Sequence, residues 1–169
     1  MEDIRVRYYS KTGNTKHVAE YIAKELNLDA FSINENDYDS PCGLLFLKES
    51  GVFFVSTING DKPEVRPFGA LNVYEGKLYL VTSNEKAVFK QIEKNNNVAI
   101  SAVCGSKWIR INTKLVKEDR VDAKRAMLDS NPNLRAMYNE NDGKVEVLYL
   151  TDTVSTISSF TEAPVVEKF

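Results

Sequence analysis

The chain has 169 residues, 43% hydrophobic and 27% charged, enough for one domain with a real core, alone or with a small appendage. A formal charge of −2 and a pI near 5.6 argue against a nucleic-acid or anionic-membrane surface. No run reaches the roughly 18 apolar residues of a membrane helix. The opening MEDIRVRYYS shows no leader pattern, and Cys42 and Cys104 match no metal spacing, so a cytoplasmic protein with reduced thiols is expected.

Ile4 to Tyr9 reads as a short strand, followed by Ser10-Lys11-Thr12-Gly13-Asn14-Thr15 and a helix to about Leu26. Val18, Ile22 and Leu26 form its apolar stripe, with Ala19 and Ala23 beside it. Ala30 to Ile33 gives a second strand, completing one βαβ unit. The segment Asn34–Ser40 is polar and rich in turn formers, which makes it the natural domain boundary. Ser40 then caps a short helix with Pro41 in its first turn, ended by Gly51.

Strands follow in quick succession. Val52 to Ile58 turns at Asn59-Gly60, a hairpin signal, into a strand expected to run from Val65 to Tyr74. Glu75-Gly76 supplies a second two-residue turn, and Lys77 to Thr82 returns with Leu78 and Leu80 alternating against Tyr79 and Val81, the period of a half-buried strand. Ser83-Asn84 carries helix-capping chemistry, and the next helix has Val88 and Ile92 on one face. Val98–Val103, Trp108–Val116, Lys144–Leu150 and Val154–Phe160 complete the strands, with a helix over Val121–Asp129 between them. Six or so short strands broken by two or three helices predict a mainly β protein with helices (α+β), a small closed or partly closed barrel.

One corner concentrates chemistry. Thr82-Ser83 at a strand end, a helix start and Lys86 bring hydroxyls, free backbone N–H groups and a cation together, a set that suits a phosphate. Arg66, placed on the partner strand of the hairpin, adds a forked set of donors.

The stretches FLKESGVFFVSTINGDKPEVRPFGAL, KLYLVTSNEKAVFKQIEKNNNVAISAV and WIRINTKLV resemble the FMN-binding split-barrel family, relatives of pyridoxamine 5'-phosphate oxidase, and most of all its nitroimidazole-resistance (Nim-like) branch. The resemblance implies a homodimer with FMN at the interface and a barrel domain over residues 41–169. It places Arg66 and Lys86 on the phosphate, Thr82 and Ser83 as its hydrogen-bond donors, and backbone groups of Pro67, Phe68, Gly69 and Ala70 at the ring edge. Trp108 stands either as a flavin neighbour or as a core or interface aromatic.

The implied activity is a flavin oxidoreductase using a small-molecule electron donor or acceptor such as NAD(P)H. A non-catalytic FMN carrier or stress-related flavin-binding protein is the alternative. Two departures narrow the substrate. The end ISSFTEAPVVEKF has no Arg or His, against oxidation of pyridoxine phosphate, and His17 is the chain's one histidine, against the Nim route through a barrel histidine.

The loop at Ser10, Thr12, Asn14 and Thr15 resembles the phosphate loop of flavodoxins, so residues 1–36 read as a partial flavodoxin-like βαβ appendage. By that resemblance the loop is a second phosphate site; on the plainer reading it holds only solvent. A fragment of this size buries too little surface to fold alone.

Overall fold

The computed structural model of this protein describes residues 6–8, 14–25, 30–32 and 42–168. The chain divides into two units, Met1–Ser40 and Pro41–Phe169. In the first, β1 (Val6–Tyr8) and β2 (Ala30–Ser32) pair in parallel, joined through helix α1 (Asn14–Glu25). This is the βαβ order read from the sequence. α1 packs on both strands, and Ala19 and Ala23 are buried while Val18, Tyr21 and Ile22 are exposed. The expected Val18–Ile22 stripe is therefore not the buried one. A two-stranded ribbon is narrow, and a helix lies closest to it where the contacting side chains are methyl groups.

The second unit opens with α2 (Cys42–Ser50), closed by Gly51 at φ +69°. Then come β3 (Phe53–Asn59), β4 (Lys62–Phe68), β5 (Leu71–Tyr74), β6 (Lys77–Ser83), α3 (Ala87–Lys94), β7 (Asn97–Cys104) and β8 (Lys107–Glu118). Helices α4 (Val121–Ser130) and α5 (Pro132–Arg135) lead to β9 (Val145–Ser159) and β10 (Val165–Lys168). All pairings are antiparallel, in the order β4-β3-β7-β8-β9-β6-β5, with β10 also on β9.

The split lies in β9. Its first residues, Val145–Tyr149, pair with β6, and its last, Val154–Ile157, pair with β10, while β8 runs along both. Between them the register shifts at Asn112/Lys114, and Asp152 adopts φ +51°. A bulge of this kind bends a strand and lets it change neighbours. The two strands expected over Lys144–Leu150 and Val154–Phe160 are thus one strand, and β10 and α5 are elements the apolar pattern did not mark.

The expected strand from Val65 to Tyr74 is broken. β4 pairs with β3, β5 pairs with β6, and Gly69-Ala70 carries the chain from one to the other. Arg66 therefore does not lie on the hairpin partner of β6, because local alternation reports a strand's faces but not its neighbour. The β5–β6 hairpin itself turns where expected, with Glu75 at φ +49° and Gly76 at φ +74°, the double left-handed geometry of a type I′ turn. A Gly76→Val variant is expected to lose roughly 1–2 kcal/mol, read as a drop of a few degrees in Tm. At the first hairpin the loop is Gly60-Asp61, one residue later than expected, with Asn59 pairing Lys62.

Two clusters form the core. Inside the barrel Phe53, Val55, Leu78, Leu80, Ile100, Ile109, Ile111 and Leu148 meet Leu44 and Leu47 of α2 and Val88, Phe89 and Ile92 of α3. On the far side of β6 and β9, Tyr79, Val81, Val145 and Val147 pack against Ala123, Met127 and Leu128 of α4. β6 is therefore buried on both faces rather than half-buried. α3 packs against both β3 and β6, covering the barrel where the sheet leaves it open. The outer face of β4, β3, β7 and β10 is bare, with Phe54, Ile58, Val65, Val103 and Val166 exposed.

Candidate functional site

The corner where β6 hands over to α3 is built from strand alternation and a helix start. Thr82 and Ser83 are adjacent in β6, so their side chains leave opposite faces. Both are buried. The Ser83 hydroxyl accepts the Glu85 N–H at 3.3 Å, whereas the Thr82 hydroxyl is buried with no hydrogen-bond partner. A buried polar atom left so is uncommon and costly. The capping expected of Ser83-Asn84 does not occur. The N-cap of α3 is Lys86, without a side-chain cap, and Asn84 donates instead to the Gly143 carbonyl at 2.7 Å. The first N–H groups of α3 therefore receive no side-chain cap.

Arg66 reaches this helix from β4. Its Nη1 donates to the Thr57 hydroxyl at 2.6 Å and its Nη2 to the Gln91 side-chain carbonyl at 2.7 Å, while Nη2 also donates to the Glu64 carboxylate. Gln91 is the fifth residue of α3, so Arg66 meets the helix roughly 6 Å along its axis from the first residue. The network closes on itself: Thr57 donates to Gln91 at 2.7 Å, and Gln91 Nε2 and Asn59 Nδ2 donate to Glu64 at 3.0 and 2.7 Å. Those amide donors and the Arg66 charge hold the Glu64 carboxyl below its usual range.

Directly across the ladder from Thr82 stands Glu146, buried, with Lys117 Nζ at 3.5 Å and Lys124 Nζ at 3.7 Å. These two ammonium groups offset a carboxylate that would otherwise repel any anion at Thr82. Asp119, with Glu146, pushes the Lys117 ammonium above its usual range.

The remaining expected site residues are placed as follows. Pro67 lies on β4 opposite Phe54. The Phe68 ring packs on Phe53, centroids 6.1 Å apart. A Cβ on Gly69 would meet the Gly51 carbonyl oxygen at 3.4 Å, so the close approach expected there is made by this chain's own backbone. Ala70 packs against the α4 cluster.

Trp108 sits at the far end of the β8–β9 ladder, pairing with Ser158 and touching Phe160 with centroids 5.0 Å apart. Glu118, near the Thr82 end, is ten residues along β8, roughly 33 Å of strand. One chain does not bring Trp108 to the Thr82 corner.

Lys107 pairs with Glu162 at 2.8 Å. Cys104 is half-buried, and burial with the Glu49 carboxylate pushes its thiol up, away from a reactive thiolate. Ser10 and Thr12 lie outside the described residues. Asn14 and Thr15 begin α1, the place a phosphate-loop reading requires, but their side chains are also outside the description. Sequence reasoning missed Thr57, Glu64, Gln91 and Glu146. Gln91 carried a signal, a polar residue beside Val88 and Ile92 on the apolar stripe of α3.

Comparison with known proteins comes to the same fold. A NimC/NimA-family protein from Clostridium acetobutylicum superposes with a TM-score of 0.74 at 43% identity, covering 75% of this chain and 90% of that one. A protein of the same organism related to general stress protein 26, of the pyridoxinephosphate oxidase family, gives 0.60 at 13% identity over 75% and 92%. A FAD-binding protein from Mesorhizobium loti gives 0.50 at 11% identity over 69% and 92%. The family model for flavodoxin matches residues 6–108. Among the described residues of that span only β1, α1 and β2 show parallel βαβ geometry; from Phe53 onward the strands are antiparallel. No curated protein matches the sequence.

Proposed function

The chain belongs to the NimC/NimA family through its barrel and to the flavodoxin family through residues 6–108, and from that footing we propose that it is an FMN-binding flavin oxidoreductase. The observation that carries the reading is the Thr82 hydroxyl, buried without a partner at the strand end from which α3 starts. A phosphate oxygen would satisfy it, and the uncapped N–H groups of α3 add donors of the right sign. In this reading Arg66 and Lys86 pair with the phosphate and Thr82 donates to it. Ser83 contributes through its backbone, since its side chain faces α4. The backbone of Pro67 to Ala70 lines the ring edge.

FMN, when bound, supplies hydride or electron transfer, with a small molecule such as NAD(P)H on the other side of the exchange. The protein's share is to bind the phosphate, orient the ring and keep water from it.

Two copies of this chain complete the site. Trp108 lies too far along β8 to join Thr82 around one flavin, and the bare face with Phe54, Val65, Val103 and Val166 is an apolar surface that a second copy would cover. Among the described residues no helix is long and apolar enough to cross a membrane.

The test is an FMN titration of purified protein followed by rapid mixing with NADH and NADPH. Saturable binding with preference for FMN over riboflavin, then fast bleaching of the flavin, is the expected result. Binding without bleaching by any donor leaves a flavin carrier, and no uptake of FMN overturns the flavin reading.

A further inference from the structure

We propose that Glu64 sets the affinity of the Arg66 site for a phosphate monoester by competing with it for the guanidinium; this rests on the flavin reading above. Glu64 and Arg66 are two residues apart on β4, so both side chains leave the same face of the strand. The Arg66 fork donates to the Glu64 carboxylate, the Gln91 carbonyl and the Thr57 hydroxyl. A guanidinium has five N–H donors and prefers a planar oxyanion facing its fork. In the structure one Glu64 carboxylate oxygen takes an Nη2 donor of that fork, standing in for one of a ligand's phosphate oxygens.

The carboxylate does not rest on Arg66 alone. Asn59 and Gln91 donate to its two oxygens at 2.7 and 3.0 Å, so it keeps hydrogen-bond partners when another anion takes its place on Arg66. It is also reachable: the Glu64 side chain is 40% exposed and the Arg66 side chain 22%. Thr57 and Gln91, both buried, hold the guanidinium in place throughout. An incoming phosphate therefore exchanges one anionic partner for another at a fixed cation. Its net gain is smaller than Arg66 would provide if it were unengaged.

The test compares the wild type with Glu64→Gln and, as a second variant that removes the acceptor altogether, Glu64→Ala. Dissociation constants for FMN and riboflavin are read from flavin fluorescence. Removing the competitor is expected to tighten FMN about five-fold in both variants, the scale of one partly exposed ion pair, and to leave riboflavin unchanged. A thermal shift with inorganic phosphate provides an arm independent of the flavin ring, and is expected to be larger in the variants. FMN bound equally well or more weakly by the variants, or FMN and riboflavin tightening alike, overturns the competition while the flavin reading stands. FMN refused by all three proteins overturns the flavin reading; the phosphate arm then decides the competition at Arg66 alone, and equal shifts overturn it.

Discussion

Replacing Arg66 with alanine is expected to weaken FMN binding roughly thirty-fold, about 2 kcal/mol for a charge-assisted fork on phosphate, with riboflavin binding nearly unchanged. Fluorescence titration of the two flavins reads this directly, because only FMN carries the phosphate. The substitution has a second effect. Thr57 and Gln91 are buried and lose the guanidinium that donates to both, costing about 1–2 kcal/mol of stability, so the unfolding midpoint is measured alongside. Arg66→Lys separates the two roles: it keeps the charge and loses the fork, and should fall between wild type and alanine. Equal loss for FMN and riboflavin would place Arg66 in the framework rather than on the phosphate. The effect runs opposite to that of Glu64→Gln on the same strand, and the paired signs are harder to reproduce by general destabilisation.

The largest stability effect is expected at Phe53. Its side chain is fully buried among Val55, Leu80, Ile100 and its cross-strand neighbour Phe68. Phe53→Ala should cost about 3–5 kcal/mol, the transfer term plus the cavity left behind, a large part of the total for a domain this size. Urea unfolding measures it as a fall in midpoint with the slope retained. Because Phe53 and Phe68 anchor β3 to β4, the strand that carries Arg66, FMN affinity should fall as well. A loss below about 1 kcal/mol would mean that the barrel interior is not packed around this ring.

Much of the fold was legible because its signals are local. Ile109 and Ile111 alternate with Arg110 and Asn112 over one strand, Val88 and Ile92 recur over one helical turn, and Glu75-Gly76 is a turn in two letters. Each depends on residues within reach of one another along the chain. The misreadings share a cause. Val65 to Tyr74 looks continuous because Leu71 and Val73 prolong the apolar run, yet Gly69-Ala70 passes the chain from β3's partner to β6's. Val18 and Ile22 made the larger stripe on α1, but what a helix buries depends on the surface it meets.

The candidate site divides the same way. Thr82, Ser83, Lys86 and Arg66 announced themselves by residue type beside a strand end and a helix start. That Ser83 faces away, that Glu64 already occupies the Arg66 fork and that Trp108 stands at the far end of β8 required sheet order and register. By itself the sequence determined most of the element types, the Glu75-Gly76 turn and a cluster of phosphate-binding chemistry, since these follow from period and backbone preference within a few residues. Only the tertiary structure decided which hydroxyl is left without a partner and which carboxylate meets which cation, because those depend on contacts between residues such as Arg66 and Gln91 that lie far apart in the chain and meet only once the sheet has closed under α3.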